Sequence, residues 1–198
     1  MMRQLYMKGK DMMFYEKLEA DSGGRERILT LLPVIRDLEE ELQKKTVDLV
    51  FSAWKASGVG KLEDLRFSRH TEYPLYLHIR ETVGTGMMLL EYAKEHWQDE
   101  WTESVDESIL LQALILHDID KPIIVHRPET ENGIAHGVLG AMMARDFGFD
   151  ERVISLIACH SPKSPVRPGN AMMQVLSYAD LFSADHILLL DGRKGFFQ

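Results

Sequence analysis

The chain has a single cysteine, Cys159, so neither an intrachain disulfide nor a cysteine-based zinc motif is open to it. In the segment LIACHSP that thiol reads as a small buried hydrophobe. No apolar run approaches the stretch of about 20 residues that spans a bilayer. The N-terminal MMRQLYMKGKDMMFYEKLEADSGG holds no continuous apolar segment of the signal-peptide kind, so a cytoplasmic protein without a membrane partner is the simplest expectation. Positive charge is in short supply: 23 Lys and Arg against 31 Asp and Glu leave a net charge of −8, which argues against a nucleic-acid partner. Small anionic substrates stay compatible if metals or local Lys and Arg reverse the field in one cleft. Alternation with period two is also rare, which disfavours a sheet.

What the sequence does hold is helical patterning almost throughout, and an all-α bundle is the fold class it predicts. A 198-residue chain of 45% hydrophobic and 27% charged residues suits one sizeable core with an added arm. Arg25 to about Ser57 carries apolar residues at helical spacing, with Pro33 marking a first turn or a kink, Glu39-Glu40-Glu41 a solvated face, and Gly58 and Gly60 the stop. A polar link, 61–73, leads to Pro74 and a helix through about Trp97. Asp106 or Ser104 caps the next, which ends near Asp118 or Ile119. A loop is expected over 120–133 with Pro122, Pro128 and Gly133, then helices over about 134–147, from Asp150 to His160, and over 171–190. Met12, Met13, Phe14, Tyr15 and Leu18 suit a short helix that covers the core or contacts a second subunit, which would make a homodimer. The division expected is therefore an N-terminal helical extension over 1–73 that packs on a metal-binding domain over 74–198.

Five positions carry the chemistry: His78, His117-Asp118, His136, His160 and Asp180. They fall on five successive expected helices, each in apolar or small-residue surroundings such as LYLHIRETV, LILHDID and IAHGVLGA. One such histidine alone is more often a satisfied core or cap residue. Four histidines and two aspartates in this order point instead to a shared metal site between the core helices. Nitrogen and carboxylate donors suit one or two divalent ions, with iron, manganese, cobalt or nickel ahead of zinc or magnesium. Thr82, Thr85 and Gly86 after His78, and Gly140 and Ala144 after His136, are small enough to let neighbouring helices approach.

The order H…HD…H…H…D resembles the HD superfamily of metal-dependent phosphohydrolases, over roughly His78 to Leu190. The minimal signature falls on His78, His117, Asp118 and Asp180. By that resemblance His136 and His160 would bind mainly a second metal, bridged to the first by Asp118. The wording HDIDK, AHGVLGAMMARDFGFDERVISLIACHSP and MMQVLSYADLFSAD is similar to the branch that cleaves dinucleoside tetraphosphates symmetrically, although Ser161 stands where that branch usually has Thr. The resemblance implies a metal-dependent phosphohydrolase that uses a metal-activated hydroxide on a phosphoester or phosphoanhydride of a nucleotide-like small molecule. Asp118 and Lys121, the latter matching an HD-x-x-K pattern, are the candidate catalytic residues. Lys121, Arg80, Arg127, Lys163 and Arg167 are candidates for the substrate phosphates, and His126 for gating or binding. Asp185 and His186 read as helix-surface residues. Two other readings share the same donors: a di-iron oxygenase of the HD fold, and a nucleotide-sensing module without turnover.

Overall fold

The structure, a computed structural model, describes residues 14–97, 99–127 and 134–196. Its helices are α1 (Ser22–Leu31), α2 (Glu40–Ser57), α3 (Leu75–His96), α4 (Glu100–Glu103), α5 (Glu107–Leu116), α6 (Lys121–His126), α7 (Val138–Asp146), α8 (Glu151–Cys159) and α9 (Ala171–Leu190). Among the described residues there is no strand, only an isolated bridge between Arg66 and Pro74. The expected all-α bundle is what forms.

Local chemistry sets most boundaries. The Asp21, Asp106, Asp150 and Asn170 side chains each accept a hydrogen bond from a first-turn N–H of α1, α5, α8 and α9, satisfying donors that the helix leaves orphaned. Gly58 ends α2 with φ +75°, a left-handed conformation open to glycine at little cost. Glu40 and Glu41 are exposed in the first turn of α2, where negative charge opposes the positive end of the helix dipole.

Several expected boundaries move. Pro33 does more than kink its helix: it ends α1 and opens a 3₁₀ turn over Pro33–Asp37, so 25–57 is two helices. The loop expected from Asp120 contains α6, because Pro122 sits in a first turn, where a missing N–H costs nothing. The helix expected from Ile134 begins only at Val138, and His136 lies in the preceding turn. Phe14, Tyr15 and Leu18 are in extended and irregular chain rather than a helix; Met12, Met13, Pro128 and Gly133 lie outside the described residues. The 14–20 segment is nevertheless held down, with Tyr15 buried and the Leu18 and Ala20 N–H groups donating to Ser52 Oγ and Asp48 Oδ1, both at 2.9 Å.

The main core is an apolar cluster running from Tyr15 and Ile28 through Leu110, Leu114 and Ile157 to Leu176, with a small second cluster of Phe67, Ala184 and Ile187. Helix α3 packs along α9 and against α5, α5 packs on α8, α7 pairs with α8, and α2 backs α6. Close approach depends on small residues at two crossings. A Cβ on Gly86 would lie 2.7 Å from Leu114 Cδ2, and one on Gly140 would lie 3.0 Å from Ile119 Cγ2. Together with the packing of α9 on α3 and α5, this brings the middle of α9, the start of α3 and the C-terminal ends of α5 and α8 to one point.

Candidate metal centre

At that point the candidate residues meet, although not all from helices. His78 and Asp180 lie within α3 and α9. His117 and His160 are the residues at which α5 and α8 end, and His136 is held in the turn before α7. His78, His117, Asp118, His160 and Asp180 are buried; His136 keeps 28% of its side chain exposed.

Each ring is fixed through Nδ1. His117 and His160 donate to the carbonyls of Leu114 (3.0 Å) and Ile157 (2.7 Å), one turn back on their own helices. His136 Nδ1 meets Asp120 Oδ1 at 3.0 Å. His78 Nδ1 meets Ser183 Oγ at 2.9 Å, and that hydroxyl donates onward to Glu81 Oε2 at 2.6 Å, leaving its oxygen to accept from the ring. With each Nδ1–H so engaged, the partners assign the tautomer of the neutral rings, in which every Nε2 presents its lone pair inward.

The inward-facing atoms sort into two groups around one carboxylate. Asp118 Oδ2 lies 3.0 and 3.3 Å from the Nε2 atoms of His78 and His117, with Asp180 Oδ1 3.3 and 3.7 Å from the same atoms. Asp118 Oδ1 lies 3.1 and 3.5 Å from the Nε2 atoms of His136 and His160. Within each group the two Nε2 atoms are 3.1 Å apart. Two bare ring nitrogens at that separation need a shared proton or a cation. Neither buried Asp118 oxygen accepts a well-formed hydrogen bond, and only Oδ2 has a cation beside it, the Lys121 ammonium; that is a costly state for Oδ1 unless a cation or a protonated ring compensates it.

Charge makes the same demand. Burial alone would raise the Asp118 carboxyl, yet the Lys121 ammonium, 2.6 Å from Oδ2, and the His117 and His136 rings hold it well below the usual carboxylate range. Burial also works against Asp120 and Asp180, and their histidine neighbours lower both in spite of it. At His136 burial would lower the pKa, but Asp120 and Asp118 push it up to about 10. Three buried carboxylates thus face one ammonium, and the balance is met by a proton on His136 or by bound cations. Two ligand sets, His78/His117/Asp118/Asp180 and Asp118/His136/His160, could each hold an ion, with their ligand atoms within 4.8 Å of one another. Their nitrogen and oxygen donors fit divalent first-row metals.

The HD domain family profile matches residues 76–187, more than half of the chain and the whole span from His78 to Asp180. The chain belongs to the HD domain family. No curated protein and no solved structure matches it at a significant level. HD domains are commonly metal-dependent phosphohydrolases, and in this HD domain the buried His and Asp clusters are where metals could sit.

The centre of this HD domain opens into a cleft of about 210 Å³ whose lining includes Phe67, Lys121, Ser161, Lys163 and Phe196. Of the cations singled out in the sequence, Lys121 and Lys163 therefore reach the cleft. Arg80 and Arg167 are exposed outside its lining. Arg127 faces the N-terminal segment, donating to the carbonyls of Phe14 (3.4 Å) and Ala56 (3.3 Å). His126 accepts from the Arg66 backbone N–H at 3.1 Å and also lies outside the lining. Asp185 accepts from the Phe196 N–H at 2.5 Å, and His186 is exposed.

Four residues at the centre escaped the sequence reading. Phe67 places its ring 4.5 Å from that of His78 and carries the Lys121 ammonium over its face at 3.5 Å. It comes from a polar link with no periodicity to mark it. Asp120, buried, supports His136, a pairing across the chain that no local pattern shows. Ser183 and Glu81 are more legible, since each stands three residues beyond a ligand on the same helix.

Proposed function

We propose that the chain is a metal-dependent phosphohydrolase acting on a phosphoester or phosphoanhydride of a nucleotide-like small molecule. The observation that carries this reading is the sharing of Asp118: each of its oxygens faces a separate set of ligands, beside a lysine and a cleft that holds a second lysine. Bound divalent ions in such a pair supply Lewis acidity and a water of lowered pKa. Asp118 fixes the relation between the two sets. Ser183, Leu114, Ile157 and Asp120 orient the rings, and Asp180 completes the buried set from α9. Lys121 and Lys163 are placed to meet negative charge growing on phosphoryl oxygens.

The cleft is small against the roughly 300–1,000 Å³ of sites that enclose a drug-sized ligand. It suits the phosphoryl portion of a substrate, with the remainder outside. The HDIDK and A-H-G-V-L-G-A wording makes dinucleoside polyphosphates the first substrates to try, and iron and manganese the first metals.

The test is metal analysis of freshly purified protein paired with a panel of phosphoesters, mononucleotides and dinucleoside polyphosphates. Phosphate or nucleotide release that depends on metal is the expected result. Oxygen uptake coupled to substrate loss would replace this reading with a di-iron oxygenase. Tight metal and nucleotide binding without any product would replace it with a sensing module.

A further inference from the structure

Helix α9 buries one side in the core and carries two large aromatic rings at the middle of the other, between Gln174 and His186. Its inner side packs on the core, and over its 20 residues it carries no Lys, Arg or Glu. Its outward stripe includes Tyr178 and Phe182, 62% and 69% exposed, where a surface helix would carry charge. The neighbouring stripe on α3 matches it, with Thr85, Met88, Leu89 and Tyr92 at the i, i+3, i+4, i+7 spacing of a helix that packs on another. The two stripes line one open groove of about 610 Å³.

We propose that this α3/α9 face is the contact between two copies of the chain, related by a two-fold axis so that the two helix pairs form a four-helix layer. Area is the first argument. Met88, Leu89, Tyr92, Tyr178 and Phe182 are 38–69% exposed. Taking roughly 200 Å² for a large side chain, they present on the order of 600 Å² of apolar surface. That lies at the top of the 300–600 Å² patch typical of monomers. It approaches the ~800 Å² per partner of a stable interface.

Charge is the second argument. The chain's net charge of −8 would oppose self-association through most of its surface. The single charged residue lining this groove, Asp185, is already engaged by the Phe196 N–H. A two-fold contact sets like against like, so a patch free of exposed charge at its centre is the one that a second copy tolerates. The same lack of cationic side chains makes the face a poor match for anionic lipid.

The contact carries a consequence for the metal centre, because α9 brings Asp180 to it from the side opposite Tyr178 and Phe182, and α3 brings His78 two turns before Thr85. A dimer would clamp these two helices together from outside.

Light scattering on the full chain, from low to high micromolar concentration, tests the proposal. The expected result is a dimer mass that falls to a monomer on dilution. Phe182→Glu and, separately, Met88→Glu should each raise the dimer dissociation constant at least about tenfold, as removal of an interface anchor does. Because both side chains are exposed, helical circular dichroism and the monomer's melting temperature should not change. A wild-type chain that stays monomeric throughout overturns the proposal. So does a dimer that survives both substitutions, since it must use another face. Binding of the wild-type chain, lost in Phe182→Glu, to phosphatidylcholine–phosphatidylserine vesicles would assign the face to a membrane and overturn it equally.

Discussion

Replacing Asp120 by Asn separates the two halves of the metal centre. Asp120 Oδ1 takes the His136 Nδ1–H at 3.0 Å, and Oδ2 takes the Gly137 N–H at 2.7 Å. An asparagine keeps one acceptor and turns an NH₂ toward the other donor, so one of these bonds is lost whichever way the amide lies. His136 has no helix of its own to hold it, and its ring loses either its orientation or the turn beneath it. Loss of such a support behind a metal-binding histidine typically costs about 10–100-fold in affinity. That factor is about 1.4–2.7 kcal/mol. The loss should fall on the ion held by Asp118, His136 and His160, because the Nδ1 partners of His78 and His117 are Ser183 and the Leu114 carbonyl. Calorimetric titration of metal-free Asp120→Asn with Mn²⁺ should show one binding event as in wild type and one weakened by that factor. Removing the carboxylate also removes the strongest upward push on His136, so the pKa of its ring in the metal-free protein should fall from about 10, as read by NMR. Equal weakening of both events, or of neither, would refute the reasoning.

Asp118→Ala should abolish both metal binding and hydrolysis while the helical circular dichroism persists; retained activity would remove Asp118 from the centre. Ser183→Ala leaves the His78 Nδ1–H without its partner and should weaken the ion on the His78 side about tenfold, with the His136 side unaffected in the same titration. Gly137→Ala forces a side chain onto φ +87° with its Cβ 2.8 Å from the Ile157 carbonyl oxygen. It should cost about 1–3 kcal/mol in chemical denaturation and displace His136. His126 titrates below its ordinary value because of burial and the nearby Arg66 charge, and its neutral ring accepts the Arg66 N–H. Its stabilising contribution is therefore complete above about pH 6.5 and is lost as pH falls toward the lower folded value. Urea unfolding in chelator should show wild type losing more stability between pH 7.5 and 5.5 than His126→Gln, and parallel losses would contradict this.

That these residues gather at one point was legible because each sits in an apolar or small-residue context that a surface residue lacks. Caps such as Asp106 and Asp150 left a local signature, and the last helix begins and ends where its pattern does. What failed was reading Pro122 as a breaker, since proline suits a first turn as well as a loop, and extending the helix before Val138 to include His136. The Asp120–His136 contact brings together residues from either side of segment 128–133, and periodicity is blind to such pairings. Arg80, Arg127 and Arg167 shared a charge with Lys121 and Lys163, but sequence alone carries no direction, and only the two lysines reach the cleft.

Burial grades the centre from inside to outside. The rings of His78 and His117 are sealed, while His136 stands at the cleft with part of its edge in solvent. Exchange with the surroundings would therefore be unequal: an ion on the outer side would face the cleft across His136 and His160, whereas one on the inner side would meet it only past Asp118 and Asp180, with the His78 and His117 rings sealed behind. The protein should fill from within and empty from without. If both sets hold ions, the outer position would follow the metal supply of the moment more closely than the inner one.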